Sequence, residues 1–281
     1  MELEAEGAGA VSLRYVPGPP AEPAVVLLHG WTATADLNWL GAYEPLGEAF
    51  TLFAPDLAGH GASGPLPGRF SLAGCADAVA GMLASAAEAG LRPPGPVTVA
   101  GYSMGGAVAQ LLALRHPGLV GAVVLCSSAA RFFPDSFSVH AQRLAIHLLA
   151  AAMAEVPRRC YGRVWDFALQ RKTAGFGRWV AEEVSRSDPA SLLGAAAALR
   201  AFDSRGWLGR LPIPVAVLVT TADEVVSPVA QQAMFAAASP PKWLVGLEGG
   251  HAGCVERPER FAEALLEACR WASEPRAGTT G

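Results

Sequence analysis

Residues 99–106, VAGYSMGG, set Ser103 between Gly101 and Gly105. A β-branched apolar run leads into the serine. A helical pattern leads out of it, Met104–Arg115, with Val108, Leu111, Leu112 and Arg115 in register. A strand that turns this sharply into a helix strains the backbone at the serine, and bulky neighbours would collide there. Glycines on both sides clear the space, and Gly106 with Ala107 lets the helix pack closely. A serine presented on such a turn is a candidate nucleophile.

A serine hydroxyl is a poor nucleophile at neutral pH; it needs a base, and the base needs a group to orient it. Six histidines are available. His251 lies in GLEGGHAG, a glycine-rich loop between the last strand and the last helix, where an imidazole can stand over the carboxyl end of a sheet. The other five suit other places. His29 ends a strand in LLHGW and organises the loop behind it, and His60 in DLAGHGAS reads as solvent-facing in a turn. His116 in RHPG sits at a helix end, while His140 and His147 fall in a helical stretch. For the orienting acid, VLVTTADEVVSP offers Asp223 and Glu224 directly after a strand, and position relative to the strand end favours Asp223. The segment after Ala122–Cys126, another place for such an acid, reads Ser127-Ser128-Ala129-Ala130 and holds no carboxylate. The chain order is therefore Ser103, Asp223, His251.

An oxyanion formed at the serine needs N–H donors. One is Met104, immediately after Ser103, at a helix N-terminus whose dipole favours negative charge. The other is the Trp31 N–H in the loop HGWTATADLNW; the indole of Trp31 reads either as pocket wall or as core packing.

The elements that must position these residues alternate. Strands are expected over Val11–Val16, Val25–His29, Phe50–Pro55, Val97–Ala100, Ala122–Cys126, Val215–Thr220 and Trp243–Leu247. Most are continuous apolar runs, as in strands buried on both faces of a mainly parallel sheet. Helices fill the gaps. Ser71 caps one whose buried face is Leu72, Cys75, Val79, Met82, Leu83 and Ala86, and Ser227-Pro228 opens another. Pro258 starts a last one with Phe261, Leu265 and Cys269 in line. Between residues 131 and 207 the alternation stops: no strand is convincing, and helical stretches cover Phe137–Ala154, Tyr161–Gln170 and Ala190–Phe202. This segment is expected to form a helical cap on a core made of residues 1–130 and 208–273. Its aromatics, among them Trp165, Phe167 and Trp179, suit either a pocket for an apolar acyl or aromatic group or the packing of the cap. The stretch ASEPRAGTTG after Trp271 reads as a tail, disordered over 274–281.

Composition narrows the class. The chain has 281 residues, 52% hydrophobic and only 16% charged, which excludes a disordered polyelectrolyte. A net charge of −4, with scattered cations, gives no footprint for nucleic acid. Five cysteines lack metal-ligand spacing and form no even framework, which suits a reducing compartment, and Cys254 reads as a small buried hydrophobe. The start MELEAEGAG has no apolar signal-like core, and Leu144–Ala154 is too short to span a bilayer. The expectation is a cytoplasmic protein acting on a small molecule, without a membrane or nucleic-acid partner.

Five stretches in this order, VVLLHGW, APDLAGHGASG, VAGYSMGG, TTADEVVSP and GGHAGCVERPERF, resemble the α/β-hydrolase superfamily over nearly the whole chain. The resemblance implies an eight-stranded, mostly parallel α/β sheet with a helical cap inserted after the sixth strand, and a serine hydrolase without metal or cofactor. It gives APDLAGHGAS the family's tight turn and Asp56 a structural role. A serine at the turn separates the chain from relatives that use aspartate there, the haloalkane dehalogenases and epoxide hydrolases. Ester or lactone hydrolysis is the first expectation. Thioester hydrolysis, cleavage of a carbon–carbon bond beside a carbonyl and perhydrolysis use the same residues, and a ligand receptor on the same fold is the alternative of another class.

Overall fold

The computed structural model describes residues 1–5, 9–19, 22–134, 136–154 and 177–274. Eight strands form one sheet in the order β1-β2-β4-β3-β5-β6-β7-β8. They are β1 (Glu2–Ala5), β2 (Gly9–Val16), β3 (Ala24–Leu28), β4 (Thr51–Pro55), β5 (Val97–Tyr102), β6 (Val120–Cys126), β7 (Val215–Thr220) and β8 (Lys242–Leu247). The β1–β2 and β2–β4 pairs are antiparallel, and every other pair is parallel.

Alternate residues of the central strands feed two core layers, as the period of two requires. Val26, Leu28, Val97, Val99, Val123, Leu125, Val215 and Val217 face one layer, with α3 (Leu72–Glu88) and α4 (Met104–Arg115). Val25, Leu27, Ala100, Tyr102, Val124, Cys126, Ala216 and Leu218 face the other. That layer is closed by α1 (Ala35–Trp39), α2 (Tyr43–Gly47) and the last helix. The caps are where the sequence places them: Ser71 accepts from the Gly74 N–H at 2.9 Å, and Ser227 from the Ala230 N–H at 3.3 Å.

Among the described residues, three α-helices lie between β6 and β7. They are α5 (Phe137–Ala154), α6 (Gly177–Ser185) and α7 (Pro189–Ala201), with α5 packed on α7. Where this insertion leaves and rejoins the sheet, the two chain segments are pinned together. The Ser204 N–H donates to the Ala130 carbonyl at 2.8 Å, and the Ser204 hydroxyl to Gln110 of α4 at 2.6 Å. The stretch expected as a helix over Tyr161–Gln170 lies outside the described residues. Beyond β7 come α8 (Pro228–Ala237), α9 (Gly253–Glu256) and α10 (Pro258–Ser273). Among the described residues, no helix is long and apolar enough to cross a membrane.

Three expectations need correction. The acidic start of the chain contains a strand, β1, which pairs along one edge with β2 and is tied to α3 by the Ser85 hydroxyl on the Glu4 carbonyl at 2.6 Å. An edge strand needs no continuous apolar run, so its composition hid it. The last helix continues past Trp271 to Ser273, whose hydroxyl lies 2.8 Å from that of Thr98. His60 is fully buried rather than solvent-facing. Gly59 and Gly61, at φ 71 and 53, fold the turn so tightly that the ring points inward, 5.3 Å from the ring of His29 and 6.1 Å from that of Phe70.

Burial lowers His29 from 6.5 to about 4 and His60 to about 3. Both rings are therefore neutral in the folded protein at pH values where the unfolded chain binds protons. Their effect on stability is nil above about pH 6.5, and as pH drops below it they destabilise the fold by about 1.4 kcal/mol per pH unit for each histidine until the folded values are reached. Urea unfolding between pH 7.5 and 5 should show this slope, and His60→Gln should remove one proton from it. A flat profile over that interval would contradict the burial of both rings.

Candidate active site

Ser103 directly follows β5 and caps α4 with φ 52 and ψ −113, the strained turn that the glycines imply. Its N–H donates to the Cys126 carbonyl at 2.9 Å, and its carbonyl accepts from the Ser128 hydroxyl at 2.8 Å and the Gly106 N–H at 3.0 Å. A Cβ on Gly101 would overlap the Gly105 carbonyl, one on Gly105 the Leu28 carbonyl, and one on Gly106 the Ser128 hydroxyl.

His251 stands between Ser103 and Asp223. Its Nε2 lies 3.0 Å from the Ser103 Oγ, and its Nδ1 lies 2.8 Å from an Asp223 carboxylate oxygen. Asp223 is buried. The carboxylate oxygen that takes His251 also accepts from the Thr220 hydroxyl at 2.8 Å and from Gln231 Nε2 at 3.2 Å. The other oxygen accepts from the N–H groups of Val225 and Val226, both at 2.8 Å. Burial by itself would raise the Asp223 carboxyl, but the bonds from His251, Val226 and Thr220 together hold it below its ordinary value. Glu224, its competitor in the sequence, is exposed.

The loop after β3 lies against the serine: a Cβ on Gly30 would sit 3.4 Å from that of Ser103. His29 donates through Nδ1–H to the Gly30 carbonyl at 2.8 Å and accepts the Leu57 N–H on Nε2 at 2.8 Å. Asn38 accepts the Gly30 N–H at 2.7 Å. The Gly30 carbonyl and the Trp31 N–H belong to one planar peptide and point opposite ways, so the grip of His29 on the carbonyl aims the N–H. On the other side of Ser103, Met104 supplies the first N–H of α4, which has no partner within the helix. Asp56, as the resemblance implies, is a brace: its carboxylate accepts the Ala35 and Ala62 N–H groups at 2.9 and 3.0 Å.

A cavity of about 230 Å³ opens at this point, bordered by Trp31, Leu37, Ser103, Val180, Val184 and His251. Among the described residues, no Asp, Glu, Lys or Arg lines it. Trp31 is both wall and anchor, since its indole N–H donates to the Leu192 carbonyl of α7 at 2.9 Å. Trp179 does not line the cavity; it is exposed, and Val180 and Val184, one helical turn apart, face inward instead. Trp165 and Phe167 lie outside the described residues. Cys254 is buried on the cavity wall with its thiol raised by burial, an inert position. The described residues hold no cluster of three or more His, Cys, Asp or Glu side chains able to bind a metal ion.

Several contributors were not anticipated: Asn38, Tyr102, Thr220, Gln231, Val180 and Val184. The apolar pair one turn apart in GRWVAEEVS is the signal that could have revealed α6 and its inward face. Tyr102 acts on His251 149 positions away, where no local pattern exists, whereas Thr220, Gln231 and Asn38 act on Asp223 and Gly30 within 3 to 8 positions, through side-chain bonds that no residue pattern marks.

A profile of the alpha/beta hydrolase family matches residues 25–264. The chain belongs to the α/β hydrolase family. It is similar to the pimeloyl-[acyl-carrier protein] methyl ester esterase of Chromobacterium violaceum, at 32% identity over 87% of this chain and 93% of that one. It is also similar to a putative carbamate hydrolase of Agrobacterium fabrum, at 27% identity over 88% and 93%. Among solved structures, a thermophilic esterase from Thermogutta terrifontis superposes with a TM-score of 0.73, at 26% identity over 98% and 99% of the two chains. The protein is thus an enzyme of the hydrolase type.

The glycine at 105 makes a sharp prediction for this hydrolase. Gly105→Ala sets a methyl against the backbone carbonyls of Leu28 and His29, which cannot yield, whereas Gly64→Ala meets nothing within 4 Å. Urea unfolding should show a loss of at least about 3 kcal/mol for the first, and at most about 0.5 kcal/mol for the second.

Proposed function

We propose that this hydrolase cleaves carboxylic esters or lactones through an acyl-enzyme. Ser103 is the nucleophile, His251 the general base, and Asp223 the group that orients the imidazole. The observation that carries the reading is the unbroken hydrogen-bonded relay from Asp223 through His251 to Ser103, at 2.8 and 3.0 Å. Asp223 takes the Nδ1–H, so Nε2 is free to accept the serine proton as Oγ attacks the carbonyl. The negative charge that develops on the carbonyl oxygen is met by the N–H groups of Met104 and Trp31. Removing one such donor typically costs on the order of 10²–10³ in rate. The imidazolium then protonates the departing alcohol, and water repeats the sequence to release the acid.

The wall chemistry bears on the substrate. A benzene molecule fills an apolar cavity of about 150 Å³. A cavity of about 230 Å³ with no Asp, Glu, Lys or Arg among its described lining residues suits a neutral apolar group of roughly six to ten carbon atoms. The helical insertion, expected over 131–207, acts as a cap whose Val180 and Val184 roof that group. The similarity to a methyl ester esterase supports an ester, and the similarity to a putative carbamate hydrolase places carbamates among the compounds to be compared.

Two experiments decide the matter. A fluorophosphonate probe should label the wild-type protein at Ser103, and Ser103→Ala should lower kcat by roughly 10⁶ with little change in Tm. Well-folded protein that neither labels nor turns over esters would instead be a ligand receptor. In a p-nitrophenyl ester series, kcat/KM should peak at medium acyl length and fall for acyl groups ending in a carboxylate. A matched thioester, carbamate or vinylogous diketone hydrolysed faster than the ester would reassign the reaction.

A further inference from the structure

The loop that carries His251 is glycine-rich and outside regular structure. Gly249 sits at φ 150, and the backbone bonds of the loop run from the Ala222 N–H to the Gly249 carbonyl and from the Gly253 N–H to the Gly250 carbonyl. His251 is 148 residues from Ser103 along the chain, yet its Nε2 must stay within hydrogen-bond reach of Oγ for the proton to move. Nothing local in the glycine-rich loop fixes that separation.

One side chain bridges the two. The hydroxyl of Tyr102 donates to the backbone carbonyl of His251 at 2.7 Å. Tyr102 directly precedes Ser103 at the end of β5, so whatever fixes the serine also fixes the tyrosine. Its ring is buried and wedged edge-on between Trp39 and Phe261, with centroids 6.1 and 5.6 Å away, and it lies 5.8 Å from the His251 ring. Burial raises the phenol far above its ordinary value, so the hydroxyl remains a donor.

We propose that Tyr102 is a positioning residue for His251: its hydroxyl ties the backbone of the base to the strand that ends in the nucleophile, and so sets the distance between them. The inference rests on the serine hydrolase reading above. Without the bond, the His251 carbonyl loses a buried partner, and the glycines beside it let the imidazole drift from Oγ. A displacement of about 1 Å at a reacting pair costs on the order of 10²-fold in rate.

The test compares Tyr102→Phe with the wild-type protein. Saturating fluorophosphonate counts the competent serines, and the labelling rate per competent serine then reports the Ser103–His251 pair independently of the amount folded. The expected result is a fall of roughly 10- to 100-fold in both kcat and labelling rate, with KM within about twofold. Placing p-aminophenylalanine at 102 restores an N–H donor and should recover most of the loss. Should Tyr102→Phe not fold, p-methylphenylalanine keeps the volume without the donor and makes the same comparison. Labelling by the donor-free variant at the wild-type rate, or no recovery in a folded p-aminophenylalanine variant, would overturn the proposal. A wild-type protein that is not labelled at all would overturn the serine hydrolase reading instead.

Discussion

Ser103 holds φ 52 and ψ −113, a backbone state that costs a residue with a side chain about 1–3 kcal/mol. Much of the architecture around it makes that state the only one available. Its N–H and carbonyl are both bonded, to β6 and to the segment just beyond it, and three glycines let β5, α4 and β3 approach closer than any side chain would permit. β5 lies between β3 and β6 near the middle of the sheet, where hydrogen bonding on both edges fixes the strand end against movement. The strain at one residue is thus offset by contacts spread over four elements. Loss of any one of them is felt at the serine.

The loop after β3 depends on the same logic at smaller scale. Thr32 also carries a positive φ, 57, and the loop is held by His29, Asn38 and Leu57 rather than by regular structure. The insertion fastens onto this loop at two points. The Trp31 indole donates to the Leu192 carbonyl, and the Thr34 hydroxyl donates to the buried Glu183 carboxylate at 3.0 Å. Val180 and Val184 pack on Ala33 and Leu37 between those points. The backbone N–H of Trp31 and the roof over the cavity therefore belong to one packed unit. A displacement of the insertion would act on the N–H of Trp31 through the same residue's side chain.

How much could be read from the sequence follows from the range of each interaction. The central strands were legible because a strand buried on both faces must be apolar throughout, and helix starts because Ser71 and Ser227 cap within three residues. The relay was legible because strand ends place Ser103, Asp223 and His251 at the same edge. β1 was not, since an edge strand with one bonded side tolerates ELEA. The burial of His60 is not legible because it depends on two positive-φ glycines and on the ring of His29 across the turn. Tyr102 and Asn38 bond to residues 149 and 216 positions away, a relation that no local pattern encodes.

On the proposed function, reaction and selectivity rest on different physics in this molecule. The polar relay and its braces are buried, and leaving one partner of a buried hydrogen bond unpaired costs about 1–3 kcal/mol. That face tolerates little change without loss of fold or activity. The roof is apolar contact between Val180, Val184, Leu37 and Ala33, where volume-conserving exchanges usually cost less than about 1.5 kcal/mol. Substitution there can reshape the cavity while Ser103, His251 and Asp223 keep their geometry. The same separation explains why short stretches of sequence disclose the chemistry, whereas the shape of the bound group is written in pairs of residues that meet only in the folded chain.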